Sequence, residues 1–188
     1  MQPMKNGSST LLDRKKESLG SPDEFQTPEW PLDALLPYLP SHWRIWEPAA
    51  GAGNLVRGLQ ARGYSCTGTD ILTGGDFFHP RSATFCDWDC HLTNPPFSRK
   101  DDWLVRCYDL DKPFVLLLPV TCLEGKIRQA LYRRNGIQVI CLPRRVNFTT
   151  PSGEGGGAWF PVCWFCWRLN LPSDLIFWQE ESAQGALF

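Results

Sequence analysis

The feature that most constrains the fold is a regular alternation of short apolar segments with longer amphipathic ones. The apolar segments are bounded by turn residues and favour strands, whereas the intervening segments have helical periodicity. The predicted strands are Arg44–Glu47, Ser65–Asp70, His91–Asn94, Phe114–Pro119 and Ile137–Leu142, and the predicted helices are Asn54–Arg62, Lys100–Leu110 and Gly125–Arg134. This alternation predicts an α/β fold with a mostly parallel sheet covered by helices on both faces.

The segments outside this alternation complete the predicted organisation of the 188 residues. Residues 1–24 are polar and predict a flexible leader, and residues 25–188 predict a single domain. Thr27 is the expected N-cap of a helix with Pro28 in its first turn, which Pro37 interrupts. Trp159–Leu169 and Leu175–Trp178 predict a closing strand pair. The chain lacks both a long apolar run and a signal-peptide core, which favours a cytoplasmic location.

The eight cysteines are scattered through apolar stretches, which predicts reduced and mostly buried thiols. Cys163 and Cys166 form a C-x-x-C motif, but they lie within an apolar run whose neighbouring side chains alternate faces. A buried strand explains this spacing better than a zinc knuckle or a redox pair does. We therefore expect no metal site.

The formal net charge of −1 argues against a nucleic-acid-binding surface over the whole chain. Residues 121–150 nevertheless carry a local charge of +5, from Lys126, Arg128, Arg133, Arg134, Arg144 and Arg145 against Glu124. Such a basic face can contact phosphates. A solvated helix face followed by a basic turn explains the same charges equally well.

Small residues follow the first predicted strand, in the segment Glu47–Leu55. Gly51 and Gly53 permit positive φ and a close approach of the backbone to a ligand. The segment has neither the lysine of a Walker motif nor the G-x-G-x-x-G spacing. Glu47 would repel a phosphate, but it suits a cationic amino-acid tail. A plain tight turn is the alternative to a cofactor loop here.

Two acidic residues follow in the chain. Asp70 ends the second predicted strand about twenty residues after the loop, where a carboxylate can accept hydrogen bonds from both hydroxyls of a ribose. Asp76 precedes Phe77, an arrangement that suits an adenine ring whose amino group donates to the carboxylate. The alternatives are a turn-capping role for Asp70 and, at Asp76, a turn followed by core aromatic residues.

The most specific motif is Asn94-Pro95-Pro96-Phe97, at the end of the third predicted strand. The prolines fix their own φ and restrict the residue before each, so the Asn94 amide oxygen and the Pro95 carbonyl stand in a rigid frame. Two such acceptors draw a conjugated amino group toward tetrahedral geometry, and both hydrogen bonds strengthen as positive charge develops on nitrogen. The alternative is a rigid loop without chemistry.

The order of these motifs resembles the amino-directed S-adenosylmethionine-dependent DNA methyltransferases, and most closely the small phage- and prophage-type adenine-N6 enzymes. The resemblance covers residues 23–169 and implies a Rossmann-like methyltransferase fold with a C-terminal antiparallel strand. It implies S-adenosylmethionine as the cofactor and nucleic acid as the partner, with N6 of adenine in DNA as the target. An oligomer or a specificity partner is compatible with the same resemblance.

The resemblance also implies roles for individual residues. The implied cofactor contacts are Thr27, Pro28, Glu47, Ala49, Gly51, Gly53, Asp70, Ile71, Asp76, Phe77 and Asn94. The implied catalytic motif is Asn94, Pro95, Pro96 and Phe97, and the implied substrate contacts are Phe97, Phe148, Lys126 and Arg145. The glycine-rich stretch at 153–157, beside Trp159, is expected to be a mobile loop over the substrate.

Two departures from the family pattern leave alternatives open. Asp70 and Asp76 are only six residues apart, which implies that the intervening strand and helix are trimmed. The sequence also leaves no room for a separate target-recognition domain within residues 25–188. Methylation of RNA, of a protein glutamine or of cytosine N4 therefore stays open, as does a non-catalytic module that binds DNA or a partner.

Overall fold

The computed structural model describes residues 25–84, 86–149 and 160–180; the predicted leader and the glycine-rich stretch at 153–157 lie outside these ranges. Within them, seven strands form one sheet in the order β2-β1-β3-β4-β6-β5-β7. The strands are β1 Arg44–Glu47, β2 Ser65–Gly68, β3 Cys90–Thr93, β4 Phe114–Pro119, β5 Gln138–Cys141, β6 Val162–Trp167 and β7 Leu175–Phe177. The α-helices are α1 Asn54–Ala61, α2 Lys100–Asp109 and α3 Lys126–Asn135.

Most strand pairs of the sheet are parallel, and one strand near the C-terminus of the chain, β6, is antiparallel to its neighbours. β1 pairs in parallel with β2 and β3, β3 with β4, and β5 with β7, whereas β6 runs antiparallel to both β4 and β5. α1 leads outward from β1 to β2, and α2 leads in the opposite direction, from β3 to β4. Right-handed connections therefore place α1 and α2 on opposite faces. The predicted Rossmann-like α/β class is confirmed.

The closing strand pair predicted at the C-terminus is wrong in its pairing. β6 lies between β4 and β5, and β7 pairs with β5 at the edge of the sheet. Nearly every residue of β4 and β6 is buried, so each needs a neighbour on both sides. β7 exposes Leu175 and Phe177, a pattern that suits an edge strand.

The N-terminal helix expected after Thr27 is replaced by two 3-10 turns, Trp30–Ala34 and Leu36–Tyr38. Proline lies in the first turn of each, and the missing N–H groups prevent a continuous α-helix. Thr27 is buried and does not act as an N-cap, because Glu29 precedes the first turn.

Side chains from two distant elements hold this N-terminal segment on the sheet. The Trp164 indole N–H of β6 donates to the Pro31 carbonyl at 2.8 Å. Arg62, at the end of α1, forms an ion pair with Asp33 at 2.7 Å. The segment that begins at Phe25 is thereby fixed beside the carboxyl ends of the strands.

The described ranges contain all eight cysteines, and all are free thiols, most of them buried. Cys163 and Cys166 lie on β6, which confirms the strand predicted for the C-x-x-C motif. None of the described helices is both long and apolar enough to cross a membrane.

Replacing Trp164 with phenylalanine tests the anchor of the N-terminal segment. We expect the free energy of unfolding to fall by about 1–3 kcal/mol, because the buried Pro31 carbonyl loses its donor. Urea denaturation measures the change. Phe177→Ala on the exposed edge strand is the control and should cost about 0.5 kcal/mol or less. Equal losses in both variants would contradict this anchoring role.

Candidate functional site

A cavity of about 630 Å³ opens at the carboxyl ends of β1, β2 and β3. This is the edge at which open α/β sheets bind ligands, and the volume lies in the usual range for small-molecule sites. Ten of the residues implied by the sequence line it: Thr27, Glu47, Ala49, Gly51, Asp70, Ile71, Asp76, Phe77, Asn94 and Pro96.

The loop between β1 and α1 is held in a tight turn by backbone hydrogen bonds with Thr69, the residue that follows β2. Thr69 N–H donates to the Glu47 carbonyl and Ala50 N–H donates to the Thr69 carbonyl, both at 2.9 Å. Gly51 and Gly53 adopt φ of +50° and +80°, where a side chain would be strained. A Cβ at Gly51 would also lie 2.6 Å from the Gln26 side chain. The glycines are therefore required by the turn and by a close neighbour.

Asp70 joins this loop to the segment that follows β2. One carboxylate oxygen accepts from Gly51 N–H at 2.8 Å, and the other accepts from Leu72 N–H at 2.9 Å. The turn-capping role that the sequence left open is thus real, because Asp70 caps the 3-10 turn Ile71–Thr73. Each carboxylate oxygen has lone pairs for more than one donor, so capping leaves acceptor capacity toward the cavity.

The two aromatic residues after Asp76 have different environments. Phe77 is only 3% exposed and stacks on Trp103, with ring centroids 4.0 Å apart. Phe78 is half-buried, and the Arg99 guanidinium lies 4.0 Å from its ring centroid. Both rings line the cavity, but one face of Phe77 is already covered. Asp76 accepts from Phe78 N–H at 2.9 Å, which fixes the carboxylate at the cavity wall.

Asn94 follows the end of β3 and faces the same cavity. Its Nδ2 group donates to the Phe25 carbonyl at 3.4 Å. Its Oδ1 atom is buried and accepts no hydrogen bond from any described residue. Pro95 is buried, and the Pro96 carbonyl accepts from Arg99 N–H at 3.1 Å, which secures the turn after the motif. The amide is thus oriented with an unused acceptor.

Further unpaired oxygen atoms surround the end of β1. Glu47 is 1% exposed; its Oε1 accepts from Ala49 N–H at 3.0 Å, and its Oε2 has no partner in the described ranges. The Thr27 hydroxyl is likewise buried and unpaired there, whereas the buried Thr93 hydroxyl lies close enough to the Glu47 carboxyl group to lower its pKa as a hydrogen-bond donor. The pKa of Glu47 is raised from its usual 4.5 to about 8, chiefly by burial and also by the Asp70 carboxylate, against the hydrogen bonds from Thr93 and from Ala49 N–H, which lower it. The group is suited to pair with a cation.

The remaining implied site residues, Pro28, Gly53, Pro95, Phe97, Phe148, Lys126 and Arg145, do not line this cavity. Phe97 and Phe148 are buried beside it and meet edge-to-face, with centroids 6.4 Å apart. Phe25 stacks on Phe148 at 5.6 Å and also lines the cavity. The predicted target-base aromatics are therefore next to the cavity but covered by their neighbours.

The basic residues between 121 and 150 divide into two groups. Arg128 forms an ion pair with Asp101 and donates to the Glu124 carbonyl at 2.7 Å, so it braces α3 against α2. Arg144 lies over the Trp30 ring and pairs with Glu180 at 2.9 Å. The exposed residues are Lys126, Arg133, Arg134 and Arg145.

Several cavity residues were missed by the sequence reasoning. Phe78, Arg99 and Trp103 line the cavity but were not assigned to it. Phe78 and Arg99 lie within two residues of motif positions, which is a usable signal. Trp103 has no such signal, because its position in the predicted helix is typical of a core residue. No described side chains form a group of three or more that could hold a metal ion.

Comparison with known proteins gives fold likenesses only. No family model and no curated protein matches the chain. A protein assigned as a modification subunit of a type I restriction enzyme from Vibrio vulnificus YJ016 is 16% identical, with a TM-score of 0.45 over 83% of this chain and 47% of its own. The chain thus spans about half the length of that protein.

Two further solved structures are similarly distant. A protein assigned as an RNA methyltransferase from Pyrococcus horikoshii is 11% identical, with a TM-score of 0.45 over 73% of this chain and 79% of its own. The type IIG restriction endonuclease BpuSI is 15% identical, with a TM-score of 0.49 over 82% of this chain and 26% of its own. Because each of these TM-scores is below 0.5, we rest no inference on the likenesses.

Glu47→Gln tests the ionisation of the buried carboxyl group. Because folding raises the pKa of Glu47 to about 8, its contribution to stability is present at acid pH and is lost as the pH rises toward 8. The stability of Glu47→Gln relative to the wild type should therefore increase between about pH 5 and pH 8. Urea denaturation across this range measures it, with exposed Glu124→Gln as control. Parallel pH profiles would contradict the assignment.

Proposed function

We propose that this protein transfers a methyl group from S-adenosylmethionine to an exocyclic amino nitrogen, and that the target is N6 of adenine in DNA. The observation that carries the proposal is that Asn94 lines the cavity at the start of a rigid N-P-P-F turn and has a buried, unpaired Oδ1 atom. The order of Glu47, Asp70 and Asp76 before this turn supports it. The proposal treats residues 25–188 as one catalytic domain.

The cavity's donor and acceptor groups fit this cofactor. The unpaired Glu47 oxygen suits the cofactor's ammonium group, and the glycine turn lets its amino-acid tail approach the backbone. We propose that Asp70 accepts from the ribose hydroxyls and that Asp76 accepts from the adenine amino group. When bound, S-adenosylmethionine supplies an electrophilic methyl group on a sulfonium centre.

We call Asn94 and Pro95, which would hold the target amino group, the target half of the site. These residues would counter the poor nucleophilicity of a conjugated amino nitrogen. Asn94 Oδ1 and the Pro95 carbonyl each accept one N–H, so the nitrogen lone pair turns away from the ring and toward the methyl group. Both hydrogen bonds strengthen as positive charge grows on nitrogen, so they stabilise the transition state more than the ground state. Methyl transfer would leave S-adenosylhomocysteine and a positively charged, acidic nitrogen, which would release its proton to water without a dedicated base.

DNA is the favoured substrate because the features beside Asn94 suit a base extruded from a duplex. Flipping a base costs a few kcal/mol, which stacking and phosphate contacts repay. Phe97 and Phe148 offer aromatic rings next to Asn94, and Lys126 and Arg145 are exposed cations. We propose them as substrate contacts.

Transfer of tritium from labelled S-adenosylmethionine tests the proposal. Duplex DNA, single-stranded DNA, RNA and cell-extract protein are offered in parallel reactions. The expected result is label in DNA that is recovered as N6-methyladenine after digestion. Label in RNA, in protein glutamine or at cytosine N4 would show that the substrate is that group and not N6 of adenine in DNA. Cofactor binding without transfer to any of them would favour the non-catalytic binding module.

Replacing Asn94 with alanine removes the proposed acceptor. We expect kcat to fall by about 100-fold or more, because a preorganised transition-state hydrogen bond is lost, while cofactor binding persists. Single-turnover methylation and calorimetric titration with S-adenosylhomocysteine separate the two effects. Asn135→Ala, at the end of α3, is the matched control and should retain both activities. Unchanged turnover in Asn94→Ala would refute the mechanism.

Asp70→Asn keeps the side-chain volume but removes the negative charge and one acceptor. We expect the affinity for S-adenosylhomocysteine to fall about 10-fold or more, since hydrogen bonds to charged groups contribute most. At saturating cofactor, kcat should stay near the wild-type value. The measurement is titration calorimetry beside steady-state kinetics, with Asp174→Asn as a control. A change confined to kcat would contradict the ribose assignment.

A further inference from the structure

We propose that the dipeptide Phe25-Gln26 is a positioning element that couples the cofactor loop to the target half of the site. The inference rests on the proposed function. It adds an order of events, in which the cofactor first stabilises its loop and the loop then positions Asn94 and its aromatic neighbours. Both residues line the cavity. Their contacts reach the cofactor loop at Gly51 and Ala52, the Asn94 amide and the Phe148 ring.

The Gln26 side chain holds the cofactor loop. Its Oε1 atom accepts from Ala52 N–H at 2.9 Å. It also covers Gly51, where a Cβ would lie 2.6 Å from the Gln26 amide nitrogen. Gly51 is in the left-handed region, a conformation that the turn must maintain. A cofactor lying against Gly51 and Ala52 would therefore also restrain Gln26.

The Gln26 main chain leads to the opposite side of the site. Gln26 N–H donates to the Thr149 carbonyl at 2.9 Å, and Thr149 N–H donates back to the Gln26 carbonyl at 3.1 Å. This pair is an isolated antiparallel bridge outside the sheet. An isolated two-bond bridge opens more easily than a sheet ladder, so its stability responds to its neighbours.

Phe25 carries the connection to the catalytic amide and to the aromatic residues. Its carbonyl accepts from the Asn94 Nδ2 group at 3.4 Å, which leaves the buried Oδ1 atom of this cavity-lining residue without a partner. Its ring stacks on Phe148 with an interplanar angle of 19°, and Phe148 meets Phe97 edge-to-face. Movement of Phe25 would alter both the Asn94 amide and the aromatic pair.

These contacts make the dipeptide a shared element whose placement both ligands bias. If the cofactor stabilises the loop under Gln26, the bridge to Thr149 closes more firmly and Phe25 holds Asn94 in its accepting orientation. Coupling of this kind is reciprocal, so target binding strengthens cofactor binding by the same factor. The hydrogen bond to the side-chain oxygen of Gln26 can be removed by a substitution that leaves the main-chain hydrogen bonds of the dipeptide unchanged.

The first test needs no methyl transfer, because it follows amide hydrogen exchange with S-adenosylhomocysteine as the ligand. In the wild type, saturating ligand should slow exchange of Thr149 N–H by about 5-fold, a typical coupling factor. Gln26→Met keeps the bulk over Gly51 but has no amide acceptor, and it should lose this protection. Gln26→Glu keeps an acceptor and should retain it.

Gln60→Met is the matched control, because Gln60 also bonds a backbone group, the Cys66 carbonyl, but lies outside the cavity. It should behave as the wild type does. Thermal melting of each variant verifies that it folds. Equal Thr149 protection in the wild type and in Gln26→Met at saturation would overturn the coupling.

Kinetics supply the second test. At saturating cofactor, Gln26→Met should lower kcat by roughly 3- to 10-fold, the value of one hydrogen bond, and Gln26→Glu should restore it. A wild type that binds S-adenosylhomocysteine and protects Thr149, but methylates nothing, would refute the proposed reaction and retain the coupling. A wild type that methylates without Thr149 protection would refute the coupling alone. A variant affected only in KM for the cofactor would overturn the positioning role.

Discussion

Parallel pairing of β1 with β2 on one side and β3 on the other is the constraint on which the site depends. Glu47 is in register with Gly68, and Trp46 is in register with His91. Because the three strands run in the same direction, the residues that end them meet at one edge. A shift by one residue would turn the Glu47 side chain to the other face. The hydrogen bond from Thr69 to Glu47 extends this pairing beyond the strands and into the loop.

The site concentrates polar atoms whose burial opposes folding. In the described ranges, cavity-lining residues with a buried oxygen atom that lacks a hydrogen bond of standard geometry are Thr27, Glu47 and Asn94. A buried polar atom without a partner costs about 1–3 kcal/mol. The fully buried β4 and β6, with Trp46 and Trp164, supply compensating apolar burial. Such a concentration beside one cavity is expected of groups that are preorganised for a ligand, since the ligand would supply the missing partners.

Much of this edge could be predicted from local sequence signals. Proline cannot donate within a ladder, so Asn94-Pro95-Pro96 requires β3 to end at Thr93, as it does. The glycines after Glu47 likewise predict the turn that begins α1. The pairing of β6 could not be predicted in this way. Its apolar run indicates burial, but not which of the other buried strands lies beside it.

Side-chain environments that depend on contacts between distant parts of the chain could not be predicted from the sequence either. Phe77 and Phe78 are adjacent and chemically identical, yet only Phe77 is buried against Trp103 of α2. Gln26 lies within the segment that the family resemblance covers, but its contacts with Ala52 and Thr149, which are far away in the chain, could not be predicted. Long-range tertiary contacts, not local propensity, determine these roles.

The covering of the aromatic residues has a physical consequence for the proposed reaction. Phe97 is 8% exposed and Phe148 is fully buried, so neither ring presents an open face to a target base while Phe25 keeps its position. Phe25 already occupies a stacked position on Phe148. An exposed aromatic surface would be prone to association, and covering it with the chain's own ring avoids that liability. If the base leaves Phe25 in place, as the proposed coupling requires, base flipping is repaid mainly by phosphate contacts and by the hydrogen bonds to Asn94 and Pro95.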